Sequence, residues 1–183
     1  MTASSPSLTD RIVLVGMMGA GKSSVGRAVA SRLAWPLVDT DERMQQRTGR
    51  TVSQLFAERG QAGFRAEEAR VLAETLATGG PLVVSAGGGA VLEAANRRLL
   101  ATSGLVVWLR AEVRTLATRV GRAESRPLLA GGALEALTRL SDERRSLYQE
   151  VADLTIDVDD LTSAEVADRV VAAFLAAPTP SDA

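Results

Sequence analysis

Gly16-Met-Met-Gly-Ala-Gly-Lys22-Ser23 has the spacing G-x-x-x-x-G-K-[ST] of a loop that cradles a polyphosphate. Glycines permit positive φ and close backbone approach to a ligand. Successive amide N–H groups can then turn inward as an anion-binding nest. A helix starting at Lys22 adds the positive end of its dipole. In this arrangement Lys22 reaches the β- and γ-phosphates of a nucleoside triphosphate, and the Ser23 hydroxyl ligates Mg²⁺. Gly19, Ala20, Gly21, Lys22, Ser23 and Ser24 are therefore the candidate residues for the nucleotide. The plainer alternative is a glycine-rich turn with an incidental lysine. Against it stands the composition: Lys22 is the only lysine among 21 basic residues, and all the others are arginine. A compact ammonium and a planar guanidinium are not interchangeable in a phosphate cradle.

Two further groupings can do chemistry. Asp39 and Asp41 are separated by one residue at the end of a short apolar run, Leu37-Val-Asp39. One such carboxylate can hold a Mg²⁺-bound water and the other can accept a proton from an attacking hydroxyl. The competing role is the N-cap of a helix, for which Asp is a common choice. Gly87-Gly-Gly89 follows another apolar run, Leu82 to Ser85. Three glycines there suit either a turn or close approach of a ligand to the backbone.

These groups need a frame that gathers them. Apolar runs at 11–16, 37–39, 82–85, 105–109 and 154–158 read as strands. Amphipathic stretches lie between them. Lys22 to Leu33 puts Val25, Ala28, Val29 and Leu33 on one face. Thr51 with Gln54, and Thr162 with Glu165, have the spacing of capping boxes. The first opens a helix carrying Leu55 and Phe56, followed by a longer helical stretch from Gln61 to Thr78. The second opens a helix with Ala167, Val170, Val171, Phe174 and Leu175 on one face. Helices are also predicted near 91–100, 112–120 and 133–151. Alternation of apolar strands with helices predicts an α/β fold, a three-layer sandwich with a central five-stranded parallel sheet. Ligands in such folds bind beyond the carboxyl ends of the strands, where all the candidate groups lie.

The chain of 183 residues suits one domain, over 11–176, between a disordered lead at 1–10 and a disordered tail at 177–183. The arginine-rich stretch at 121–132, with Pro127 and Gly131-Gly132, reads as a mobile lid. A net charge of −1 gives no bulk attraction to nucleic acid or anionic membranes, and no apolar run is long enough to span a bilayer. The polar N-terminus lacks the apolar segment of a signal peptide, which predicts a cytoplasmic protein. With no cysteine and no histidine, thiolate catalysis, a histidine base and Cys/His zinc sites are all excluded. Acid–base work falls to carboxylates, Lys22, arginines and the one tyrosine. A guanine-reading Asn-Lys-x-Asp sequence is impossible with one lysine.

The whole pattern resembles the shikimate kinase family. The resemblance rests on Gly16 to Ser23, Asp39-Thr-Asp41, Phe64-Arg65 with Glu68, Ser85-Ala-Gly-Gly-Gly89, Arg126-Pro-Leu-Leu129, and Arg144 ahead of Leu147-Tyr148. These motifs run in family order from about Arg11 to Val158. The resemblance implies a P-loop kinase fold with a lid. It implies transfer of the γ-phosphate of ATP to the 3-hydroxyl of shikimate, a step toward chorismate and the aromatic amino acids, with Mg²⁺ as cofactor. It implies that Lys22, Asp41 and Arg126 are catalytic and that Asp39 and Ser23 serve the metal. It implies that Arg65 and Arg144 clamp the shikimate carboxylate, with Gly87, Gly88 and Gly89 as a backbone wall. Arg126 would swing onto the phosphates, and Arg119 would lie beside the adenine. Two departures stand out: Met17-Met18 make the loop bulkier than in relatives, and Ala66 replaces an often basic residue. The nearest rivals are a gluconate kinase, a nucleoside monophosphate kinase and a non-catalytic nucleotide sensor. A monomer is the expected quaternary state.

Overall fold

The structure, a computed structural model, describes residues 10–120 and 132–177. β1 (Arg11–Val15) is buried along its whole length, as the apolar run Ile12 to Val15 within it requires. It is flanked by β3 (Leu82–Ser85) and β4 (Leu105–Arg110), with β2 (Leu37–Asp39) and β5 (Leu154–Asp157) outside them. The strand order is β2-β3-β1-β4-β5 and every pairing is parallel. The five-stranded parallel sheet and its covering helices are thus as predicted.

The topology explains how distant segments meet. From β1 the chain crosses to β2 at one edge, returns to β3 between them, and then passes to β4 on the far side of β1. The direction reverses beside β1, so a crevice opens at its carboxyl end. Register places Asp39 beside Ser85, and Ser85 beside Leu14. The ends of β2, β3 and β1, with the groups that follow them, are neighbours.

Seven helices are described: α1 (Lys22–Leu33), α2 (Thr40–Thr48), α3 (Val52–Leu76), α4 (Ala94–Leu100), α5 (Val113–Val120), α6 (Ala133–Val151) and α7 (Ser163–Ala176). α1 packs on α7, and α6 packs on α4 and α5. Both predicted capping boxes form, at Thr51 with Gln54 and at Thr162 with Glu165. The break predicted between the Leu55 helix and the Gln61 helix falls at Gly60. Its φ of 66° and ψ of −177° interrupt α3 with a conformation open almost only to glycine. A small apolar cluster of Met44, Leu55, Phe64 and Val71, with Val52 and Phe56 against it, holds α2 on α3.

Three details differ from the sequence reading. α2 has no predicted counterpart, because Met44 is its only apolar residue and no periodicity marks it. α4 starts at Ala94 instead of near Val91. The intervening residues are spent in turns, in which the amides of Ala90 and Leu92 donate to the carbonyls of Gly87 and Gly89. Leu175, assigned to the buried face of α7, is 71% exposed, as its neighbours Ala176 and Ala177 are exposed at the end of that helix. Residues 1–9 of the expected lead, 178–183 of the expected tail and 121–131 of the expected lid lie outside the described residues.

Candidate active site

The loop after β1 takes the shape its glycines were read to permit. Gly16 has φ of 141°, and a Cβ there would stand 2.5 Å from the Leu109 carbonyl oxygen of β4. Gly19 has φ of 83° and lies against Val120 and the Leu116 carbonyl. No side chain fits at either position. Lys22 begins α1, and its Nζ donates to the carbonyls of Gly16 at 2.9 Å and Met17 at 3.0 Å. The ammonium is therefore held inside the curl of the loop, at the N-terminus of α1. That is where an anionic phosphate gains most from the helix dipole and the free amides.

Ser23 Oγ donates to Asp39 Oδ2 at 2.6 Å. The other oxygen, Asp39 Oδ1, accepts from the amides of Asp41 at 3.0 Å and Glu42 at 3.4 Å. The N-cap role and the metal-side role were weighed as alternatives, and one carboxylate carries the geometry of both. The Ser23–Asp39 pair presents two hard oxygen atoms beside the phosphate loop. Such a pair suits Mg²⁺, which keeps several waters and takes few protein ligands. Capping also starts α2 at Thr40, and so sets Asp41 in its first turn.

Across the cavity, Arg65 and Glu68 form a buried ion pair at 2.5 Å, with side chains 10% and 5% exposed. Burial pushes the Glu68 carboxyl up, Arg65 draws it back down by charge and hydrogen bond, and the charge of Asp41 raises it again. Gly87 lies between the acids. A Cβ there would be 2.7 Å from Glu68 Oε1 and 2.8 Å from Asp41 Oδ1. The Gly87 amide donates to Thr40 Oγ1 at 2.9 Å. Arg144 is buried to 2% exposure and donates from Nη1 to the Gly88 carbonyl at 3.0 Å. Arg145, next to it, is exposed, which separates two adjacent arginines that the sequence left hard to rank. The Nε groups of Arg65 and Arg144 are buried without a hydrogen-bond partner among the described residues. Both arginines also line one cavity, and two guanidinium groups gathered there suit an incoming carboxylate.

A single cavity of about 250 Å³ joins the two ends. Lys22, Ser23, Asp39, Asp41, Arg65 and Arg144 all line it. The shikimate kinase family profile matches residues 18–175. The chain belongs to the shikimate kinase family. A shikimate kinase of Ruegeria pomeroyi is 44% identical over 91% of this chain and 86% of its own length. One of Thermobifida fusca is 45% identical over 86% of this chain and 91% of its own. The structure of a shikimate kinase from Acinetobacter baumannii in complex with shikimate superposes with a TM-score of 0.88. It is 36% identical, and the alignment covers 91% of this chain and 93% of that one. As in its family, this kinase uses ATP.

Of the predicted site residues, Gly19, Gly21, Lys22, Ser23, Ser24, Asp39, Asp41, Arg65, Gly88, Gly89 and Arg144 all line the cavity of this kinase. Ala20, within the phosphate loop, is buried. Gly87 supports the wall through Thr40 and leaves the space that Asp41 and Glu68 occupy. Arg119 stands outside the cavity and donates to the Val158 carbonyl at 3.0 Å and the Gly19 carbonyl at 3.5 Å. It thereby ties the phosphate loop to the end of β5. Arg126 lies outside the described residues. Ala66 is exposed on α3, away from the cavity, so a basic residue there would not face the site.

Sequence reasoning quoted Glu68 in a motif and gave it no role. Its signal was an acid three residues after Arg65 on one helix, a spacing at which side chains meet. Val52, Phe56 and Phe64, which make the apolar wall, carried no chemical signal. Gly89 also has a steric role. A Cβ there would lie 1.7 Å from Arg65 Nη1 and 2.4 Å from its Cζ. Gly89→Ala must expel the guanidinium from its pairing with Glu68. The variant is expected to fold and to show a KM for the acceptor raised by about 10-fold, with KM for ATP unchanged, in steady-state assays.

Proposed function

We propose that this kinase transfers the γ-phosphate of ATP to the 3-hydroxyl of shikimate, with its residues in the following roles. The observation that carries the reading is the continuity of one small cavity. It runs from a phosphate nest with its lysine to a carboxylate flanked by two buried arginines. Shikimate is a small carboxylate with three hydroxyls. Arg65 and Arg144 offer guanidinium donors for its carboxylate, while Asp41 and the Gly88 and Gly89 backbone face its hydroxyls.

In the step itself, the acceptor oxygen forms a bond to the γ-phosphorus, and the bond from that phosphorus to the β,γ-bridging oxygen breaks. Asp41 takes the hydroxyl proton, and ADP leaves with its new charge. Lys22 and the loop amides hold the phosphates in line and stabilise the charge that moves onto the bridge. Ser23 and Asp39 are the residues that would hold Mg²⁺, which screens phosphate charge when bound. Arg126 is assigned to the phosphates and Arg119 to the adenine side. The apolar wall of Val52, Phe56 and Phe64 limits water, the competing acceptor. We place the enzyme in the cytoplasm as a monomer. Among the described residues no helix is long and apolar enough to cross a membrane.

The test is a coupled ADP-release assay with shikimate, gluconate and nucleoside monophosphates as acceptors. Shikimate is expected to lead the panel by about 10²-fold or more in kcat/KM, because buried guanidinium groups penalise acceptors that leave them unpaired. A panel led by gluconate or a nucleotide overturns the assignment.

A further inference from the structure

We infer that Tyr148 is a positioning residue of the acceptor site, acting on the Arg144 clamp through the Gly88 carbonyl. The inference rests on the shikimate reading above and adds a group that takes no part in the chemistry. Tyr148 Oη donates to the Gly88 carbonyl oxygen at 2.6 Å, and Arg144 Nη1 donates to the same oxygen at 3.0 Å. The two side chains sit one turn apart on α6, so their spacing is set by the helix. Both are almost wholly buried, at 1% and 2% exposure. The carbonyl they share belongs to a loop that lines the acceptor cavity.

The phenol is itself rigidly held. Its ring stacks on Trp108 of β4, with centroids 5.7 Å apart and planes inclined by 23°. It is thus fixed to the central sheet, not merely to its own helix. A carbonyl oxygen has two lone pairs, and here both directions are supplied with donors from one rigid face. Without the hydroxyl, the Gly88 oxygen keeps only Arg144. The guanidinium then becomes that carbonyl's one side-chain partner among the described residues and is free to tilt with it. Burial pushes the Tyr148 phenol up to about 12, and the adjacent Arg144 partly offsets this by charge and hydrogen bond. The group therefore stays a donor across the neutral range.

A cavity-facing residue would change binding by contact, but Tyr148 does not line the cavity. Its effect must pass through Gly88 and Arg144, and this gives a signature that plain loss of stability lacks. Tyr148→Phe keeps the ring and its stacking and removes only the hydroxyl. It is expected to raise KM for shikimate by about 5-fold or more, with KM for ATP unchanged and kcat within about 2-fold. In the background of Arg144→Ala the same change is expected to do little more, since the route it acts through is gone.

An independent measurement needs no variant. Tyr148 is the only tyrosine of the chain. Tyrosine labelled with ¹³C at Cζ gives one resonance, which is expected to move on saturation with shikimate and to stay in place with an ATP analogue alone. A shikimate KM unchanged by Tyr148→Phe overturns the inference, as does an equal rise in both KM values or a Cζ resonance that ignores shikimate. Wild-type enzyme inert toward shikimate overturns this inference together with the substrate assignment.

Discussion

Lys22→Met is expected to lower kcat by about 10³-fold or more while the protein stays folded. Methionine matches the length of the lysine stem and keeps its packing, so the change isolates the charge. In the structure that charge sits 2.9 and 3.0 Å from the carbonyls of Gly16 and Met17, inside the loop that would surround the phosphates. Removing it leaves the developing negative charge on the bridging oxygen to the amides and the cation. Deleting one preorganised donor in such a site costs about 10² to 10³ in rate, and a cation on a transferring phosphoryl group costs more. Steady-state kinetics with both substrates at saturation, and thermal unfolding to confirm the fold, check this. A variant with kcat within 10-fold of wild type would show that the ammonium serves only to shape the loop.

Arg65→Ala is the second large effect, and it has two separable parts. The first is on binding: KM for shikimate is expected to rise by about 10- to 100-fold, the range of one or two charge-assisted hydrogen bonds, with a smaller change in kcat. The second is on stability. Glu68 is left buried with its partner gone, a loss expected to reach about 3 kcal/mol near neutral pH. The pH dependence has a definite sign. Glu68 already has a folded-state pKa above its ordinary value, because burial outweighs Arg65. Loss of Arg65 raises it further. A raised folded pKa contributes stability that is present below the unfolded value and lost as pH rises through the folded one. Acidification therefore lets Glu68 take up a proton and relieves the variant. The gap in Tm between variant and wild type is expected to narrow from pH 7.5 to pH 5.5. A gap that is constant with pH, or that widens on acidification, refutes the buried-charge account.

The sheet and the phosphate loop were legible because each is written in a local pattern. Ile12 to Val15 form an unbroken apolar run and are all buried in the centre of the sheet. Gly16 belongs to the loop pattern itself, whereas Gly19 stands at a free position of it, crowded by Val120 and the Leu116 carbonyl. The capping boxes at Thr51 and Thr162 were legible for the same reason, since cap and partner lie three residues apart. α2 was not legible. Its start is dictated by the Asp39 side chain and its place by one buried Met44, and neither leaves a periodic trace. The pairing of Gly88 with Tyr148 was equally hidden, because the partners are 60 residues apart and one is a backbone atom. Arginine is so common in this chain that no single one announces itself, and burial, not type, separates Arg144 from Arg145. The roles drawn from family resemblance reached further than the residue patterns alone, placing Arg65 and Arg144 in one cavity from positions 79 apart.

Asp39 faces two ways: one of its oxygens starts the helix that carries Asp41, and the other accepts from the serine that follows Lys22. Donor and recipient pockets accordingly pivot on the same three-atom group. Exchange to asparagine keeps one oxygen for the helix cap, where asparagine serves about as well as aspartate, and its effect is expected to show first at the serine.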